Sequence, residues 1–234
     1  MVTLSRTTQT LLRLPLVEAG DHLDQVTFHE RYKAMPPAFR AELIGGVVIV
    51  PSPLSWGHGV YHARVMAWLV SYCIATPGTQ TADNTTTILG ELSEPQPDGV
   101  LIVEPAAGGQ TGLSEDDYTT GPPELIVEVA SSSASIDLHA KHRDYEQAGV
   151  LEYAVVVLRQ QVIRWFSLQH GTYQEGSPDA DGIFRSHVFP GLWRHANARL
   201  QRAGGTVMEV LRQGLATPEH AAFVQRLQEQ RIPS

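Results

Sequence analysis

The sequence predicts an α/β (α+β) fold in which a mixed β-sheet carries helices on its faces and ends in a small helical tail. Three observations carry that prediction. Short β-rich runs separated by turn residues recur from residue 42 to residue 189. Two of these runs are joined through a helical stretch instead of a tight turn. Beyond residue 193 the pattern changes to helical spacing.

Residues 1–24 show no sustained periodicity and read as an N-terminal arm. A short helical stretch over 28–35 is stopped by Pro36-Pro37, because proline lacks the backbone donor a helix needs. Residues 42–50 hold two β-rich runs around Gly45-Gly46, a hairpin signal. From 58 to 76, Tyr61, Val65, Trp68, Leu69 and Tyr72 recur at helical spacing, with Ser55 as cap and Pro77-Gly78 as stop. Extended segments follow at 80–89 and 97–103, then a loop over 104–123 that is long for a small domain. Residues 125–130 read as a buried strand bearing one acid. Serines and Asp137 are expected to cap a helix over 138–148, closed by Gly149. A hairpin is expected from 153–158 and 162–168, and a weaker strand pair near 172–174 and 183–189. Two polar helices, 207–215 and 217–230, end the chain, the second with Thr217 as cap and Pro218 in its first turn. The division expected is an arm (1–24), a core domain (25–193) and a helical extension (194–234).

The chain has 234 residues, 42% of them hydrophobic, enough for one well-filled core. No apolar run approaches the roughly 20 residues that a bilayer requires. The single cysteine, Cys73, cannot form an intrachain disulfide or a thiolate cage, and the chain reads as soluble and cytoplasmic. Lys and Arg number 17 against 25 Asp and Glu, a net charge of −8. That balance opposes binding to phosphate polymers, so a nucleic-acid partner would need local basic residues or a bridging cation.

Four residues stand where charge is unexpected. Leu138, Lys141, Tyr145 and Ala148 share one helical face, so Lys141 falls on an apolar stripe. A buried ammonium there needs an acidic or phosphate partner, unless its stem carries the charge out to water. Glu128 sits in the middle of a β-branched run, either paired inside or facing solvent from an edge strand. Asp98 opens a strand, and Glu42 opens the first hairpin; each by itself is an ordinary turn or strand-end residue. Taken together they suit a different role. Two carboxylates on neighbouring strands can share Mg²⁺, and a lysine beside them can orient water for metal-assisted phosphodiester hydrolysis.

The same residues carry a family resemblance. Glu42-Leu43-Ile44-x-Gly46, Ser52-Pro53 with His58, Gln96-Pro97-Asp98 and Glu128-Val129-x-Ser131-x-Ser133 occur in order, followed by Asp137-x-x-x-Lys141-x-x-x-Tyr145 and Ala148-Gly149-Val150-x-Glu152-Tyr153. Over residues 25–193 the chain resembles the Uma-two family, a branch of the PD-(D/E)XK nuclease superfamily. The resemblance implies a restriction-endonuclease-like core and a Mg²⁺-dependent endonuclease acting on DNA, with Mn²⁺ as a substitute ion. It implies Asp98 and Glu128 as metal ligands, with the Val129 carbonyl as a further contact. Glu42 would be a supporting acid. The superfamily's lysine position, two residues after the glutamate, is Ala130 here, so the resemblance moves the lysine to Lys141 on the following helix. Gly45, Ser132 and the run Ala154-Val155-Val156-Val157 depart from the family pattern without removing an expected ligand.

His139, His142, Arg143 and Arg164 are the basic candidates for substrate phosphates. His58 and His62, four apart, have metal-ligand spacing, but no third ligand is near in sequence, and packing or capping is the expected role. The rival reading is a nuclease-fold protein that cuts nothing and works as a nucleic-acid-binding or regulatory module. The helical extension is a candidate homodimer element.

Overall fold

The structure, a computed structural model, describes residues 15–197 and 204–231. Most of the expected N-terminal arm therefore lies outside the described residues. Its last part is no free arm: Gly20 and Leu23 donate to the carbonyls of Val48 and Gly46, and Val17 is buried beside Phe28.

Helix α1 (Gln25–Lys33) starts at Asp24, whose carboxylate accepts the Thr27 N–H at 2.7 Å. Strands β1 (Glu42–Ile44) and β2 (Val47–Ile49) form the expected hairpin. Gly45 and Gly46 take φ of 56° and 76°, a two-residue turn that side-chain-bearing residues resist. Helix α2 (Trp56–Ala75) is capped by Ser55 as expected. After it come β3 (Thr79–Ala82), β4 (Thr87–Ile88) and β5 (Gly99–Val103).

The segment expected to be an open loop is structured: β6 (Gly112–Leu113) and β7 (Thr119–Thr120) join β4 in a small second sheet. Strand β8 (Leu125–Ala130) then leads into one wide helical turn of π type at Ile136–Lys141, continued as α3 (His142–Ala148). Asp137 is inside this turn and buried, not a cap at its end. Gly149 closes α3 with φ 89°. Strands β9 (Glu152–Val157), β10 (Val162–Gln169) and β11 (Thr172–Glu175) follow. The weaker strand pair is corrected: β11 pairs with β10, while β12 (Ile183–Arg185) pairs with β13 (Trp193–His195). Helices α4 (Gly204–Leu215) and α5 (Pro218–Arg231) end the described chain.

The central sheet has the order β11-β10-β9-β8-β5-β3. Within this sheet β8 and β9 are the one parallel pair, which is why a crossover, here helical, must join them. Alternation along β8 splits the core between two faces. Leu125, Val127 and Val129 meet α2, α4 and α5 through Trp68, Leu69, Leu211 and Phe223. Ile126 and Ala130 face the other way, with Tyr145 of α3 and Tyr153. Glu128 lies on this second face of a central strand, which excludes the edge-strand reading. The helical extension is not a detached tail, because Val207, Leu211, Phe223 and Leu227 belong to the main core.

Candidate active site

Four elements deliver carboxylates to one buried place. Antiparallel pairing of β5 with β8 matches Gly99 to Val127, so one step further Asp98 falls beside Glu128. The Asp98 N–H lies 3.4 Å from Glu128 Oε2, and Asp98 Oδ2 accepts the Val129 N–H at 2.7 Å. The β1–β2 hairpin brings in Glu42. Its turn is fastened to α3, where Asp144 accepts the Gly45 N–H at 2.6 Å and the Ser93 hydroxyl at 2.8 Å. The wide helical turn supplies Asp137 and Lys141, both buried.

Lys141 is the hub of the site. Its Nζ donates to Glu42 Oε1 at 2.8 Å and to Glu128 Oε1 at 2.9 Å, and lies 4.0 Å from Asp137. It is 5% exposed, so the alternative of a stem snorkelling to water is excluded. Tyr145 donates its hydroxyl to the same Glu128 oxygen at 2.9 Å. Glu42 Oε1 also accepts the Gln96 N–H at 2.7 Å. The four expected residues, Glu42, Asp98, Glu128 and Lys141, are therefore assembled in one network.

Charge in this network is unbalanced. Four carboxylates (Glu42, Asp98, Glu128 and Asp137) face one ammonium. Burial, together with Asp137, Asp98 and Glu42, pushes the Glu128 carboxyl well up, against the pull of Lys141. Burial likewise raises Asp137 to about 6. For Lys141, burial works downward, but Glu128, Glu42 and Asp137 outweigh it and hold the ammonium charged. Asp98 differs. Burial would raise it, yet His58 and the Val129 N–H keep it below the usual carboxylate range.

His58 was expected only to pack or cap. It lies with Nε2 3.5 Å from Asp98 Oδ2, and His62 bonds the Asp98 carbonyl at 2.8 Å. With Asp137 and Tyr145 these are the residues that sequence reasoning left out of the site. The four-residue step from Asp137 to Lys141 was a signal for the first of them. For His58 the signal was its place in the family motif after Ser52-Pro53, not a local pattern, because its neighbour Asp98 is 40 positions away in sequence. The basic candidates are less well placed. His142 is packed edge-on against Phe166 and Tyr173, with ring centroids 4.6 and 5.0 Å away. Arg164 is committed to Glu175 on the neighbouring strand. His139 and Arg143 are exposed on the crossover segment.

The donor set fits a hard divalent cation. Asp98 and Glu128 are cross-strand neighbours, each carboxylate against the other strand's backbone, in a place with excess negative charge. Among the described residues no three or more His, Cys, Asp or Glu side chains, the four clustered carboxylates included, are arranged so that together they could hold a metal ion. An ion here would therefore have two protein carboxylates and complete its shell with water, as Mg²⁺ commonly does.

The mixed sheet with a helical crossover is a nuclease-like fold, consistent with the PD-(D/E)XK superfamily. The chain belongs to the Uma2 family, described as "Putative restriction endonuclease", whose model matches residues 27–201. Its fold is similar to the crystal structure of a protein titled a putative nuclease belonging to DUF820 from Anabaena variabilis ATCC 29413. The TM-score is 0.56 at 12% identity, covering 78% of this chain and 97% of that one. No curated protein matches the sequence. Family membership supports a nuclease-like function. No helix among the described residues is long and apolar enough to cross a membrane.

Proposed function

We propose that the protein is a Mg²⁺-dependent endonuclease that hydrolyses phosphodiester bonds in DNA, with Mn²⁺ as a working substitute. The observation that carries this reading is the buried Lys141 ammonium, shared between Glu42 and Glu128 while Asp98 lies alongside. Asp98 and Glu128 would hold the ion, which when bound supplies Lewis-acid polarisation of a phosphoryl oxygen. The chain's own residues do the rest. Lys141 holds the attacking water beside Glu128 and offsets charge on the phosphate. Glu42 keeps the ammonium in place, and Tyr145 fixes the Glu128 carboxylate by its hydroxyl. His58 holds the Asp98 carboxylate in its ionised form.

The expected outcome is Mg²⁺-dependent nicking of supercoiled plasmid that Asp98→Ala reduces at least a hundredfold, a loss suited to removing a metal ligand. Equal nicking by wild type and variant would reject the reading. The net charge of −8 favours a second one, a nuclease-fold module that binds without cutting. Asp98-dependent nicking would exclude it.

A further inference from the structure

We propose that the concavity between α1, the segment leading into β1, and Tyr118 is a subsite for one unpaired nucleotide of the strand being cut. The inference rests on the reading of the acidic network as a phosphodiester-cleaving centre. The concavity has a volume of about 360 Å³, within the roughly 300–1,000 Å³ of small-ligand sites. Its walls include Tyr32, Lys33, Phe39, Arg40, Gln96 and Tyr118.

These side chains combine the two chemistries a nucleotide needs. Tyr32, Phe39 and Tyr118 line the concavity with half-buried aromatic side chains whose positions are held in advance. Tyr32 stacks on Phe28 at 5.3 Å and receives the Gln96 amide at 3.0 Å, while Tyr118 is braced edge-on by His29 at 5.2 Å. Lys33 and Arg40 are exposed at the rim. Arg40 uses Nη1 on the carbonyls of Pro37 and Phe39, which leaves its remaining donors for a phosphate. Lys33 pairs with Asp116 at 2.7 Å across an exposed gap, a contact that a phosphate displaces at little cost. In a chain of net charge −8, Arg40, together with Lys33 where a phosphate replaces Asp116, supplies local basic character beside three aromatic side chains.

Position ties this concavity to the acidic site. Gln96 is in its wall, and the Gln96 N–H bonds the same Glu42 oxygen that Lys141 holds. Asp98 is two residues further on, at most about 7 Å along the backbone. The concavity thus adjoins the acidic network through Gln96, and the nucleotide it would receive is one flanking the scissile phosphate. A base stacked within a duplex would not enter, which makes the recognised species a single strand or a base turned out of its helix.

The test measures binding, with activity kept separate. Full-length protein in EDTA is titrated against a fluorescein-labelled single-stranded oligo-dT and against a duplex of equal length, read by anisotropy over a range of salt. Tighter binding of the single strand is expected. Tyr118→Ala should weaken it on the order of tenfold. The double variant Lys33→Gln/Arg40→Gln changes only exposed side chains, and should flatten the salt dependence by about 1.4 in log–log slope. Preference for the duplex, or wild-type binding by both correctly folded variants, would overturn the subsite. If nicking still depends on Asp98 in that case, the catalytic reading stands. Absence of Asp98-dependent nicking would overturn that reading whatever the variants bind.

Discussion

Asp137 shows what the acidic network costs the fold. It is 2% exposed, and burial raises its carboxyl from 3.8 to about 6. The folded state therefore holds its proton more tightly than the unfolded chain does, so stability falls as pH rises from about 4 to about 6 and the penalty persists above that. The full shift corresponds to about 3 kcal/mol at neutral pH as an upper figure. Asp137→Asn should accordingly stabilise the metal-free protein by up to that amount at pH 8, and by much less at pH 5, where wild-type Asp137 is already mostly protonated. Urea unfolding of both proteins at the two pH values measures the difference, and an equal effect at both would contradict the assignment. At this scale, much of the site was legible. An ammonium on an apolar stripe and an acid in a β-branched run each demand a partner, and each is the other's partner. The contact of His58 with Asp98 was not legible, because it depends on a tertiary neighbour.

Among the elements, α2 and the β9–β10 hairpin were readable from periodicity, since each buries a regular face. The wide turn at Ile136–Lys141 was not, because its apolar spacing also fits an ordinary helix. Nor was the partner of β12, since three-residue strands carry too little pattern to name a mate. The docking of α4 was hidden for another reason: it depends on a missing side chain. A Cβ at Gly214 would lie 2.2 Å from the Gly191 carbonyl oxygen and 2.8 Å from the Trp193 ring. Gly214→Ala should therefore push α4 off β13 and cost about 3 kcal/mol, the size of a forced overpacking in a tight core. Thermal unfolding compared with Gly205→Ala, where a Cβ meets nothing within 4 Å, separates crowding from a general glycine effect.

For the molecule as a whole, the C-terminal helices are part of the main body. Val207, Leu211, Phe223 and Leu227 pack with Trp68, Tyr72 and Phe189, and Tyr72 meets the His220 ring at 5.9 Å. A chain ending at residue 197 would leave that face of the core open to water. It should lose its near-ultraviolet circular dichroism and bind a hydrophobic dye, while the full chain does neither. A truncated protein with native signals would mean that the extension is separable. The long-range wiring has a consequence for how the molecule is made. Glu42 and its ammonium partner are 99 positions apart, and β9, which closes the sheet over the crossover, is made later still. While synthesis is under way, the early acids have nothing to balance them. The acidic network is thus finished only after the ribosome has delivered most of the polypeptide, and shorter nascent chains lack its ammonium.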